Sequence, residues 1–206
     1  VRFDPKRLPD ASQREQTSLA ERRELEERLE REVVDGEAAR LRAAELARTV
    51  EELEAALRVG PKFIYVLPNF QNPSGSTLSL ERRRHLVALA DQYGVPIIED
   101  DPYGQLRYDG EHLPSVVYLD AMYRNDGNSE YTGNVIYLST FSKLLAPGLR
   151  LAWVVAPPNV IQKLVMTKQA ADLHTSSFNQ QVAYEVGKGG FLDEHVKVIR
   201  ATYKER

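Results

Sequence analysis

The rhythm of hydrophobic and polar positions changes at Gly60. Before it, residues 12–58 are dominated by Glu, Arg, Ala and Leu, with one glycine and no proline, a composition that forms helix. Leu46, Val50, Leu53 and Leu57 recur at helical spacing and predict one buried face, stopped by Gly60-Pro61. Over residues 21–32 only Leu25 and Leu29 interrupt the charges. That pattern predicts a solvated helix supported by i,i+4 pairs, since its apolar heptads are not sustained. Ser12 or Ser18 is placed to cap the start, and Asp35-Gly36 to divide the region into two helices. After Gly60 short apolar runs alternate with helical patterns. KFIYVLP (62–68), VPIIED (95–100), NVIYLS (134–139) and LRLAWVVAP (149–157) predict strands. Residues 80–93, 159–171, 179–188 and 193–206 predict helices, and 113–133, with the polar stretch YRNDGNSEYTG, predicts an irregular surface loop. The chain thus divides into a tail (1–11), a charged helical segment (12–59) and an α/β domain (60–206) with a mostly parallel sheet covered by helices.

Composition narrows the function classes. The 206 residues carry a net charge of -3, with 42% hydrophobic and 28% charged positions, which describes a soluble globular chain. A dedicated nucleic-acid binder would show a basic excess that is missing here. The absence of cysteine excludes a disulfide scaffold and any cysteine-ligated metal site. No apolar run approaches the roughly 20 residues of a membrane span, and VRFDPKRLPD has no signal architecture. Both features predict a cytoplasmic protein. The initial Val suggests a start inside a longer reading frame.

Candidate chemistry gathers where strands end. Gln71-Asn72-Pro73-Ser74-Gly75 follows the first strand, Glu99-Asp100-Asp101-Pro102-Tyr103 the second, and Ser139-Thr140-Phe141-Ser142-Lys143 the third, with Gly148-Leu149-Arg150 beyond. In parallel sheets ligands bind past the carboxyl ends of strands, so these groups are expected around one cleft. Arg150, Thr140 and Ser142 suit a phosphate. Lys143 suits Schiff-base formation with an aldehyde. Asp100 suits a protonated pyridine nitrogen, and Tyr103 and Asn72 a phenolic oxygen. One ligand carries all four groups: pyridoxal 5'-phosphate (PLP).

These motifs resemble those of the fold-type-I, PLP-dependent class I/II aminotransferases. The nearest subgroup is that of the α-aminoadipate and kynurenine-type enzymes and the aminotransferase-like domains of certain transcription regulators. P-N-F-Q-N-P-S-G (68–75), E-D-D-P-Y (99–103) and S-T-F-S-K-L-L-A-P-G-L-R (139–150) occur in the family's order. The resemblance spans residues 46–206 and implies the family's three-layer large domain in incomplete form. By that resemblance Asn72 and Tyr103 match the contacts to the phenolic oxygen. Asp100 matches the pyridine-nitrogen partner, Asp101 does not, Lys143 matches the Schiff-base lysine, and Thr140, Ser142 and Arg150 match the phosphate side. Lys143, Asp100 and Tyr103 are then the catalytic set. The implied reaction moves an amino group between an amino acid and a 2-oxo acid, and the implied assembly is a homodimer.

Taken singly, each motif has a plainer reading. Asn-Pro-Ser-Gly alone is a turn, a lone aspartate a cap, a lone lysine a surface charge. Their order carries the assignment. Elsewhere the plain reading stands: His85 lies in RRRHL on a solvated face, Trp153 is core, and His174 takes little part in ligand binding. The family's N-terminal phosphate loop, its ring-stacking aromatic and its carboxylate-binding arginine find no match in this chain. Three roles follow as alternatives: the cofactor-bearing part of an aminotransferase, a PLP-binding regulatory domain without turnover, or an interaction protein that keeps the site as a relic. No helix-turn-helix segment is apparent, which counts against the second.

Overall fold

A computed structural model describes residues 51–124 and 130–205. The expected charged helices with their caps at Ser12 or Ser18, the break at Asp35-Gly36, the Leu46 and Val50 positions, residues 125–129 of the polar loop and Arg206 lie outside them. Residues 51–58 are helical. Leu57 is buried and Leu53 packs against the core, as the spacing predicts. Gly60 follows with φ 76°, and its N–H donates to the Leu57 carbonyl at 2.9 Å, closing the helix in the left-handed conformation that glycine tolerates.

Four strands form one sheet in the order β1 (Ile64–Val66), β2 (Ile97–Asp100), β3 (Val135–Thr140), β4 (Ala152–Val155). β1, β2 and β3 are parallel; β4 is antiparallel to β3. The sheet is thus mostly parallel, as expected, with one antiparallel strand, β4, at its edge. The connection explains this. Residues 141–151 hold only the short helix α3 (Phe141–Leu144) and a 3-10 turn at Pro147–Leu149. A parallel crossover needs a longer return path.

The helix α1 (Leu80–Tyr93) joins β1 to β2, and α2 (Val116–Arg124) lies between β2 and β3. Ser79 caps α1 by accepting from the Arg82 N–H. α2 corrects the expectation of an irregular loop over 113–133. Its buried positions are Val116 and Asp120, so an acid interrupts the apolar pattern that would have revealed a helix. Asp120 is satisfied in place: it pairs with Arg124 at 3.0 Å, accepts from the Asn134 N–H at 2.9 Å, and receives the Tyr131 hydroxyl. Gly133 must be glycine there, because a Cβ would collide with the Asp120 carboxylate and the Tyr131 ring.

Strand register sorts the side chains onto two faces. Ile64, Ile97 and Val135 align across the sheet. With Leu86, Val87 and Ala90 of α1 and Val116 of α2, Ile97 and Val135 form the core, against which Ile64 and Val66 pack. Tyr65, Ile98, Asp100, Leu138 and Thr140 occupy the opposite face by the same register. Beyond β4 come α4 (Pro158–Asp172), α5 (Ser177–Gly187) and α6 (Phe191–Lys204). α6 docks onto the segment after β2, with Arg200 Nε donating to the Gln105 carbonyl at 2.7 Å and Lys204 pairing with Asp109. Trp153, expected in the core, is half-buried and packs on Phe141 with ring centroids 4.9 Å apart.

Candidate functional site

Parallel alignment of β1, β2 and β3 delivers their carboxyl ends to one edge. The loop after β1 carries Asn72. β2 ends at Asp100 and the following turn carries Tyr103. β3 ends at Thr140, and α3 places Lys143 in its single turn. Lys143 Nζ lies 5.9 Å from the centroid of the Tyr103 ring, so two segments 40 residues apart in sequence meet there. Lys143 is exposed and forms no ion pair among the described residues. Thr140 Oγ1 accepts from the Ser142 N–H at 3.0 Å, and its hydroxyl lies 3.0 Å from both Ser142 Oγ and the Leu151 carbonyl. The two hydroxyls are thus already adjacent.

Arg150 closes the 3-10 turn in a left-handed conformation, with φ 53°. Its guanidinium is exposed and holds the Pro147 carbonyl at 3.2 Å. Asn72 is exposed, and its carbonyl accepts from Gln71 Nε2 at 2.7 Å. Gln71 also accepts from the Ser74 N–H at 3.0 Å and so ties the loop into a turn. The Asn72–Pro73 peptide is cis. The structure brings Lys143 to Tyr103 and Thr140 to Ser142. Asn72, Asp100 and Arg150 share the same edge on separate segments.

Three acids stand in a row at the end of β2, and each serves differently. Glu99 points to the helix-covered face and is fully buried. Its two oxygens accept the N–H groups of Val116 and Val117 at 2.8 Å each, satisfying the first turn of α2. Burial pushes its carboxyl up to about 7, against the pull of those two N–H donors. Asp100 points to the opposite face and is half-buried; Tyr65 donates to its Oδ2 at 2.6 Å. Asp101 turns back into the protein. Its Oδ1 accepts from Asn69 Nδ2 at 2.9 Å, its N–H donates to the Leu138 carbonyl at 2.9 Å, and its own carbonyl accepts from Ser139 Oγ at 2.8 Å. Asp101 therefore joins the ends of β1, β2 and β3. Gly104 must lack a side chain, because a Cβ there would strike the Asp101 carboxylate.

Arg83 anchors this hub from α1. It is fully buried and donates to four oxygens: the carbonyls of Leu78 at 3.0 Å, Pro114 at 2.8 Å and Pro68 at 3.0 Å, and Asn69 Oδ1 at 2.6 Å. Burial lowers its guanidinium from the ordinary value, while Glu99 and Asp101 hold it up. Guanidinium keeps its proton in such a setting. Tyr137, beside Asp101, is pushed up to about 12 by burial first and by the Asp101 charge second.

Sequence reasoning missed Arg83, Asn69, Asp101 and Tyr65 as parts of this architecture. RRRHL was expected to be solvated, yet its second arginine is the best-buried cation in the described chain. His85 in the same run is half-buried, with Nδ1 shielded from solvent and unpartnered among the described residues. The available signal was position: Arg83 falls three residues before Leu86 and four before Val87, on the core stripe of α1. His174 is exposed, and its Nδ1 lies 2.9 Å from the Thr175 carbonyl. It borders a groove of about 850 Å³ between α4, α5 and β4. Phe141, the first residue of the helix that carries Lys143, also lines that groove.

Comparison with known proteins gives this edge a family. The family model described as aminotransferase class I and II matches residues 37–206. The aromatic-amino-acid aminotransferase 1 of Thermococcus litoralis is 45% identical over 145 residues, 70% of this chain and 32% of its own length. The 2-aminoadipate transaminase of Thermus thermophilus is 42% identical over 165 residues, 80% of this chain and 40% of its own. The structure of Pyrococcus horikoshii kynurenine aminotransferase, solved in complex with PMP, superposes with a TM-score of 0.68 at 41% identity, covering 77% of this chain and 38% of that one. The chain thus spans about a third to two fifths of the relatives it matches. Its mixed sheet and flanking helices correspond to part of the large domain of fold-type-I enzymes, and the chain belongs to the class I and II aminotransferases.

Proposed function

We propose that the carboxyl edge of β1–β3 holds pyridoxal 5'-phosphate on Lys143 and serves amino-group transfer between an amino acid and a 2-oxo acid. The observation that carries this reading is the meeting of Lys143 with Tyr103 on an edge shared by Asp100, Thr140 and Ser142. The donor set fits the group. Asp100 offers a carboxylate to the ring nitrogen, and Tyr103 and Asn72 offer donors to the phenolic oxygen. Thr140, Ser142 and Arg150 offer two hydroxyls and a guanidinium to the phosphate. When bound, the cofactor supplies a carbonyl that takes up the amino group and a ring that accepts electron density.

The chain's own residues do the rest. Asp100 keeps the ring nitrogen protonated by pairing its negative charge with it. Lys143 tethers the cofactor and, once released, moves a proton at the substrate Cα as general base and acid. Asn72 and Tyr103 orient the ring by its phenolic oxygen, and Arg150 with the two hydroxyls fixes it by its phosphate.

Residues 60–206 are the cofactor-bearing unit in this reading, the protein works in the cytoplasm, and its assembly is a homodimer. No described helix is long and apolar enough to cross a membrane. Val154 on β4, Val165 and Met166 on α4, and Phe178 and Tyr184 on α5 are exposed, an extent of apolar surface that supports association with further protein.

The test is borohydride reduction after mixing the protein with pyridoxal phosphate, followed by peptide mass mapping. The expected result is a phosphopyridoxyl mass on the peptide containing Lys143, absent in Lys143→Ala. Labelling spread over surface lysines, or unchanged in Lys143→Ala, would overturn the assignment. An amino-acid panel then separates an enzyme from a cofactor-binding domain without turnover.

A further inference from the structure

We infer that Tyr65 is a positioning residue for Asp100: its hydroxyl holds one carboxylate oxygen and leaves the other for the nitrogen of the bound ring. The inference rests on the proposed cofactor site. Tyr65 and Asp100 stand on neighbouring strands and on the same face of the sheet, since Tyr65 aligns with Ile98 and side chains alternate. Tyr65 Oη lies 2.6 Å from Asp100 Oδ2, within the range of a strong bond to a charged acceptor. This bond has no evident packing purpose. Tyr65 is 56% exposed, and it lies on the face opposite the apolar core. A phenol in that place gains little from burial, so the directed hydroxyl is its distinguishing feature.

The chemistry of the pair explains why a tyrosine is useful there. An aspartate rotates freely about its terminal torsion, with broad and roughly two-fold preferences. One donor on Oδ2 selects an orientation and aims Oδ1 at the ligand. The same hydroxyl points its proton at Oδ2, so that oxygen is already occupied when a ring nitrogen approaches. The counterpart appears in Tyr65 itself, whose phenol is raised above its ordinary value by the bond to Asp100. Glu99 and Asp101 each receive two or more donors inside the protein. Tyr65 gives the outward acid a comparable restraint without burying it.

The test uses the full chain and pyridoxal phosphate, with three readouts: apparent dissociation constant, absorption spectrum of the bound cofactor, and urea midpoint of the unloaded protein. Tyr65→Phe is expected to weaken binding by about tenfold, the loss of one charge-assisted hydrogen bond. It should shift the spectrum and leave the urea midpoint unchanged. Phe63→Ala, at a similarly exposed aromatic two residues earlier, should change neither affinity nor spectrum. Because Tyr65 acts through Asp100, Tyr65→Phe should add nothing in an Asp100→Asn background. Equal affinity and spectrum for Tyr65→Phe and the parent would overturn the inference while leaving the cofactor site standing. A tenfold loss that persists in the Asp100→Asn background would overturn it too. If the parent protein takes up no cofactor at Lys143, the cofactor site and the role of Tyr65 fall together.

Discussion

On the helix-covered side of the sheet, Glu99, Arg83 and Asp101 are buried and every one is tied to backbone or side-chain partners. On the opposite side and its edge, Asp100, Lys143 and Arg150 remain at least partly open, with few partners of their own. Neighbouring residues of one motif thus meet opposite fates because a strand alternates its faces. The buried set holds strand ends in register. The open set has hydrogen-bonding capacity to spare, which the proposed cofactor would use. Removing a charge from the first region should cost stability; removing one from the second should cost binding.

The largest stability effect should come from Arg83→Met. It deprives four acceptors of their donor and leaves Glu99 and Asp101 without their buried counter-charge, a loss of about 3–5 kcal/mol. Urea denaturation measures it. A loss below ~1 kcal/mol would mean that water replaces the guanidinium and that this side is less closed than its burial suggests.

Glu99 adds a pH signature. Its folded carboxyl is raised to about 7 while an unfolded one stays near 4.5, so the folded state binds the proton more tightly. Stability from this group is then full below about pH 4.5 and declines as pH rises through 7, by up to ~3 kcal/mol. Other groups titrate in the same range, so the informative quantity is the difference between the parent and Glu99→Gln. The stability of the parent relative to Glu99→Gln should fall between pH 5 and pH 8. A constant difference would show that the two N–H donors of α2 cancel the effect of burial.

Smaller effects probe each region at its margin. Arg150→Lys should weaken pyridoxal phosphate binding by about tenfold, since an ammonium cannot match the bidentate geometry of guanidinium, and leave the urea midpoint in place. Equal affinity would remove Arg150 from the phosphate side. Ser79→Ala should cost only about 1 kcal/mol by uncapping α1, with no change in cofactor affinity. Any loss of affinity there would show that the loop carrying Asn72 is sensitive to the start of α1.

Much of the open region was legible in the sequence. Polar residues at the ends of apolar runs stand out, and Asn72, Asp100, Tyr103, Thr140, Ser142, Lys143 and Arg150 all fall on or beside the expected edge. The buried region was not legible, because local patterning treats charge as a mark of solvent. That rule hid Arg83 inside RRRHL and hid α2 behind Asp120. Both depend on partners distant in sequence: Pro114 for Arg83, Tyr131 and Asn134 for Asp120. The reversed direction of β4 was readable in principle from the short connection over 141–151, and the general alternation of strands and helices obscured it.

The most direct test compares two adjacent acids, Asp100→Asn and Asp101→Asn, by pyridoxal phosphate affinity and urea midpoint in parallel. Division of labour between the two regions predicts that Asp100→Asn loses more affinity than Asp101→Asn by about tenfold or more, with the order reversed for stability. Equal or greater loss of affinity in Asp101→Asn would contradict it, and would move the ligand's charge partner from the open face to the buried hub.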